Sequence, residues 1–271
     1  MTSILTQINL FGSVDTSRFV VVGSLQDDNI TFPIELQDDQ GNVLTANADA
    51  SELEILLRDG DDLFDSSTFS VGNQELIVVG NKGDDLLIGN TEADILFGGQ
   101  DDDDISGGDG DDQIFGNLGN DFVLDGGEGD DSVFGGRDDD VVRGGDGNDL
   151  VFGDRGNDII HGDQGIDLLT GGDGEDQFIL DLLFETPTSN PNFVDTIQDF
   201  TSGEDEILIF GVNPSFLEIS DLTSVGGSSG IILYDISGGD VGSANEIAIA
   251  FLQQNAGLTE DLIIGTDIFI V

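Results

Sequence analysis

The sequence predicts an all-β solenoid, a rod of very short strands stacked coil upon coil. Three observations carry that expectation. Residues 80–179 divide into eleven consecutive nine-residue units, from GNKGDDLLI to GGDGEDQFI, broken once by a single extra residue counted at Asp125. Each unit has one position, the eighth, that is always a large apolar residue: Leu87, Leu96, Ile105, Ile114, Val123, Val133, Val142, Val151, Ile160, Leu169 and Phe178. Each unit also begins with Gly, usually has Gly fourth, and has Asp sixth without exception.

An invariant apolar position between mixed neighbours reads as a short strand with one side chain pointing inward. Three residues bury too little to stand alone, but stacked copies build a continuous core. The glycines at the first, second and fourth positions supply the φ > 0 conformations that a tight turn requires.

The sixth-position column is Asp85, Asp94, Asp103, Asp112, Asp121, Asp131, Asp140, Asp149, Asp158, Asp167 and Asp176. Solvated acidic turns would be the plain explanation, since Asp and Asn suit turns. Against it stand the unbroken column, further acids at the fifth position (Asp84, Asp102, Asp111, Asp130, Asp139, Glu175), and the near absence of bases around them. Carboxylates stacked about 5 Å apart repel unless a cation sits between them. An all-oxygen donor set, with no Cys and a single His, selects a hard cation, and Ca2+ leads the candidates.

The unit resembles the calcium-binding nonapeptide of the RTX (repeats-in-toxin, hemolysin-type) family over residues 80–179. That resemblance implies a right-handed parallel β-roll with small β-rich caps. It also implies that each ion lies between successive turns on one side, held by Asp carboxylates and turn carbonyls. If two units make one coil, the column pairs as Asp85 with Asp103, Asp94 with Asp112, and so on to Asp158 with Asp176. That gives up to about nine Ca2+ sites. Glu92, Asp101 and Asp138 replace the fourth-position Gly, Ala93 and Ile166 make the fifth position apolar, and the turns at Glu92 and Asp101 depart furthest from the pattern.

Phe97, Phe115, Phe134 and Phe152 occupy the ninth position of alternate units and should form a ladder on one outer face. The opposite face carries Ile88, Ser106, Leu124, Arg143, His161 and Ile179 there. A row of exposed Phe would be an unusual apolar patch. The expectation is that another part of the chain covers it, the C-terminal region first; a partner or ligand surface is the alternative.

The formal charge is −51, from 57 acidic and 6 basic residues. Such a chain repels nucleic acid and anionic membranes, and repels itself out of a compact state unless cations bind. No stretch approaches the ~20 apolar residues of a membrane span. With no Cys there is neither a disulfide framework nor thiol catalysis. The HExxH, GxSxG and P-loop motifs are absent, and His161 alone reads as a solvated side chain, so no enzyme is expected.

Residues 1–56 are non-repetitive, with apolar runs at Phe19–Val22, Ile30–Leu36 and Leu53–Leu57, and read as a β cap on the first coil. The roll is expected over 57–179, with an isolated repeat at RDGDDLFD (Asp62 and Phe64 in the Asp and apolar places) and a metal-free unit, VGNQELIVV, ahead of the regular repeats. Residues 180–271 read as a β-rich cap with strands at Ile231–Ile236, Glu246–Phe251 and Asp267–Val271. Within it, Asp195, Ile197, Asp199, Phe200, Gly203 and Asp205 resemble the segment following the repeats in serralysin-type secreted proteins. The final DIFIV resembles the uncleaved signal of the bacterial type I route, and Met1–Leu10 lacks the features of an N-terminal signal peptide.

The expected function is a secreted, extracellular calcium-binding protein that folds on binding Ca2+ and serves as a structural, adhesive or matrix component. Its partners would be calcium, the type I secretion machinery, and polysaccharide or a cell surface. The alternatives are the calcium-binding and secretion part of an RTX enzyme or toxin, or a carbohydrate-binding accessory module.

Overall fold

Each nonapeptide forms one short strand and one turn, and two make a coil. Ser132–Arg137 is representative: Val133 and Gly135 point inward and are buried, while Ser132, Phe134 and Gly136 alternate outward and Arg137 is exposed. The computed structural model describes residues 18–22, 29–31, 36–37, 43–44, 52–67, 75–181, 194–210, 217–219, 223–225, 228–235, 247–253 and 268–270. Every described element is a strand or a turn, so among the described residues no helix is long and apolar enough to cross a membrane.

Alternate strands enter two parallel sheets. The first sheet runs through Arg18–Val22, Glu52–Asp59, Glu75–Lys82, Ile95–Gln100, Gln113–Leu118, Ser132–Arg137, Leu150–Arg155, Leu168–Asp173 and Asp195–Ile197 to Ile247–Gln253. The second runs through Asn29–Thr31, Leu63–Asp65, Leu86–Ile88, Asp104–Asp109, Val123–Glu128, Val141–Gly147, Ile159–Gly165, Gln177–Asp181 and Glu206–Phe210 to Ile268–Ile270. The chain is thus a parallel β-roll of two-unit coils. Because one apolar residue of each unit faces the same interior, the core is a filament of Leu, Ile, Val and Phe, each worth about 1.5–3 kcal/mol on burial.

Parallel stacking crosses both expected boundaries. Phe64 of the isolated repeat pairs with Leu87, and Glu52–Asp59 pairs with the metal-free unit at Glu75–Lys82. Beyond residue 179, Thr196 and Ile197 pair with Leu168 and Leu169, and Phe178 pairs with Ile207. Phe200 is fully buried against Phe178, with ring centroids 6.2 Å apart. In the C-terminal strands that follow, the pairing changes direction, as Ser228–Asp235 joins Ile247–Gln253 antiparallel. The C-terminal strands expected at 231–236, 246–251 and 267–271 are found at Ser228–Asp235, Ile247–Gln253 and Ile268–Ile270. The terminal residues Asp267 and Val271 lie outside the described residues.

The extra residue falls in a different place from the one expected. Ile105 pairs with Leu124 and Ser106 with Asp125, so Leu124 is the buried core residue and Val123 is 41% exposed. The insertion is absorbed at the start of this strand, where Phe122 is 63% exposed. Leu is larger than Val and fills the shared interior better, so the register follows the better buried side chain. Val123 therefore leaves the apolar column, Leu124 leaves the ninth-position face, and Asp125 takes its place there.

Candidate metal centre

The sixth-position aspartates line both edges of the roll, where strand gives way to turn. All eleven of the sequence column are buried. Successive members are joined by one kind of hydrogen bond: the backbone N–H of each Asp donates to Oδ1 of the Asp one coil further on. On one edge this runs Asp85 to Asp103 (2.9 Å), Asp103 to Asp121 (2.8 Å), Asp121 to Asp140 (2.9 Å), Asp140 to Asp158 (2.8 Å) and Asp158 to Asp176 (3.0 Å). On the other it runs Asp94 to Asp112, Asp131, Asp149 and Asp167, each step at 2.7–2.8 Å. The pairs predicted from two-unit coils are the pairs that meet.

Three members lie outside the sequence column. Asp62 donates its N–H to Asp85, Asp167 donates to Asp195 (2.9 Å), and Asp176 donates to Asp205 (3.1 Å). The signal that could have found the last two is Asp-x-apolar, present at Asp195–Ile197 and Asp205–Ile207 but stripped of its glycines.

The second carboxylate oxygen tells a different story. Oδ2 of ten of the eleven column aspartates is buried with no hydrogen-bond partner; Asp94 is the exception. A buried charged oxygen left unmatched is costly. Burial pushes Asp103, Asp112, Asp140, Asp149 and Asp167 up to about 8, opposed by the N–H bond each receives and reinforced by neighbouring carboxylates. Burial likewise takes Asp85 and Asp158 to about 7 and Asp121, Asp131 and Asp176 to about 6.

First-position glycines make room for these oxygens. A Cβ on Gly107 would overlap both Oδ2 of Asp112 and the carbonyl oxygen of Gly126 in the next coil, and Gly80, Gly116 and Gly144 repeat the arrangement. Carboxylate and carbonyl oxygens therefore converge beside the space that the missing side chain leaves. That donor set fits a hard divalent cation. Among the described residues no three acidic or imidazole side chains converge on one point, so backbone carbonyls must complete any coordination shell.

The fifth-position acids form a second, exposed ladder of opposite sense. Here the later N–H donates to the earlier side chain: Asp102 to Asp84, Asn120 to Asp102, Asp139 to Asn120, Asn157 to Asp139 and Glu175 to Asn157. Asn serves as well as Asp, which marks this column as turn-binding. At the fourth position, Asp101 (φ 78°) and Asp138 (φ 77°) keep the left-handed turn that Gly makes elsewhere.

The outer faces differ. On the first sheet the four Phe rings stack at 4.9–5.0 Å with interplanar angles of 3–11°, each half-buried. The described C-terminal strands extend this sheet past Leu168–Asp173, and among the described residues the rings shelter one another by stacking. On the second sheet Arg143 binds Asp163 through Nε and a terminal nitrogen (3.0 and 3.2 Å), and Asp163 also meets His161 Nδ1 at 3.2 Å. His161 is therefore part of a half-buried ion network and not a solvated side chain. Its burial pushes the imidazole pKa down, against the pull of Asp163.

Comparison with known families agrees with this geometry. The RTX calcium-binding nonapeptide repeat matches in four copies, at residues 77–105, 88–123, 125–160 and 152–182. Residues 77–182 carry repeats of the RTX calcium-binding type. No curated protein matches the chain. The matched repeat is a calcium-binding type, and the unpartnered Oδ2 atoms of the column lie within the span it matches.

Proposed function

We propose that this RTX roll is a secreted, calcium-triggered structural rod, folding as Ca2+ bridges successive turns. The observation that carries the reading is the set of ten buried Oδ2 atoms without a partner. A chain of charge −51 that buries its carboxylates this way has little reason to coil without cations. A bound calcium ion supplies the divalent charge that the stacked carboxylates lack. The aspartates contribute one oxygen to order the neighbouring coil and one to the ion, so ion binding and folding are a single equilibrium. Extracellular calcium modules bind at about 10⁻⁴–10⁻³ M, well above free calcium inside cells. The chain would stay unfolded before export, which suits passage through a type I channel, and would fold outside.

We assign the rod a structural or adhesive role at a cell surface or matrix, without chemistry of its own. The Phe ladder supports this over a sugar-binding platform, because face-to-face stacking leaves mainly ring edges outward where a sugar needs a ring face. The test is far-UV circular dichroism during a calcium titration, with magnesium as control. A cooperative coil-to-β transition near millimolar calcium, absent with magnesium, is expected; a chain fully folded in excess chelator would sink the trigger.

A further inference from the structure

The exception in the aspartate column, Asp94, has a counterpart at the far end of the other edge. Asp94 Oδ2 accepts the N–H of Asn90 at 2.8 Å, and its Oδ1 accepts the N–H of Leu76 at 2.9 Å. Asp205 repeats the arrangement: Oδ2 accepts the N–H of Thr201 at 2.7 Å and Oδ1 that of Asp176 at 3.1 Å. In both, the amide four residues upstream takes the oxygen that points unpartnered into the roll at Asp112 or Asp176.

Local sequence explains why. Glu92 stands where the fourth-position Gly belongs, and neither it nor Asn90 adopts the left-handed conformation of the regular turns. The turn closes through Asn90 instead, whose Oδ1 accepts the N–H of Glu92 at 2.8 Å. At Asp205, Phe200 replaces the first-position Gly and fills the interior against Phe178, removing the space that a regular unit leaves open.

We infer that Asp94 and Asp205 are terminators of the ion array and not calcium ligands. This rests on the calcium reading above. Of the nine pairs predicted from the sequence, eight keep an unpartnered Oδ2 on both carboxylates, five on the edge from Asp85 to Asp176 and three on the edge from Asp112 to Asp167. The Asp94–Asp112 pair keeps one. A carboxylate with both oxygens already bonded to amides has less charge to offer, so the array ends where the chain supplies its own donors.

Native mass spectrometry of the full chain in calcium tests this, because it counts ions on folded molecules and a loss of stability alone does not change the count. Asp94→Asn and Asp205→Asn should keep the wild-type number of ions, while Asp112→Asn should lose at least one. The paired substitution Asn90→Gly with Glu92→Gly, which restores a regular turn and frees Asp94, should add one. Loss of an ion from Asp94→Asn to match Asp112→Asn would overturn the inference while leaving calcium binding intact. A wild-type chain carrying no calcium would overturn both.

Discussion

At the scale of the residue, the roll is built on the two oxygens of one side chain. Oδ1 of each aspartate ties its coil to the one before, and in all of the column but Asp94 Oδ2 is left for a cation or a proton. Acid can therefore stand in for calcium. The column aspartates rise from an ordinary 3.8 to between about 6 and about 8 in the folded roll, chiefly through burial. Between those values the folded state holds more protons than the unfolded chain, so metal-free stability falls as pH rises through that window and is lost above it. In chelator, lowering the pH from 8 to 5 should raise β content by circular dichroism; an unchanged spectrum would mean that the carboxylates are not buried as described. Glycine matters equally at this scale. Gly165 has φ 147°, and a Cβ there would overlap the carbonyl of Gly147, whereas at Gly203 (φ 81°) a Cβ meets open space. Gly165→Ala should cost about 3 kcal/mol or more in calcium-saturated thermal unfolding, and Gly203→Ala about 1 kcal/mol.

At the scale of the element, one inserted residue decides which side chains face in. Leu124→Ala should cost about 2–5 kcal/mol as a core truncation, while Val123→Ala should stay within about 0.5 kcal/mol as a surface change. Equal effects on the denaturation midpoint would restore the register read from sequence. That reading failed for a physical reason. The pattern Asp-Phe-Val-Leu-Asp-Gly admits either Val123 or Leu124 as the inward residue, and only three-dimensional stacking on Ile105 and Val142 selects one. The consequence reaches further than packing, because the shift places Asp125 opposite Arg143 in the ninth-position ladder. Arg143 there lies between Asp125 and the Asp163–His161 pair, and its charge offsets part of the burial that raises the Asp125 pKa. The strands, turns and aspartate pairs were legible because each is fixed by a period that the sequence repeats eleven times. Asp195 and Asp205 were not recognised as column members because they keep Asp-x-apolar but lose the glycines by which the unit is counted.

At the scale of the whole molecule, the rod is nearly one-dimensional: each coil touches the next through the core filament, the Oδ1 ladder and the ions proposed between turns. Order in such a stack propagates by nearest-neighbour coupling. The flanking segments could not be placed from sequence alone, since Asp195–Ile197 and Glu206–Phe210 return to the roll after residues 182–193 break the glycine rhythm, and only strand pairing shows that they rejoin the same two sheets. Position along the stack should therefore matter more than chemistry. Asp131 and Asp140 sit mid-array on opposite edges, so replacing both with Asn interrupts both columns near one level. The calcium titration of that variant, followed by circular dichroism, should split into two transitions or lose much of its steepness, because the halves would fold as separate stacks. Asp176→Asn near the end of its edge removes the same functional group but leaves the rest of the stack continuous, and should keep a single steep transition of slightly reduced amplitude. Identical curves for the two variants would mean that each ion acts on its own turn, and that the filament of buried Leu, Ile and Val, not the ion ladder, carries order along the rod.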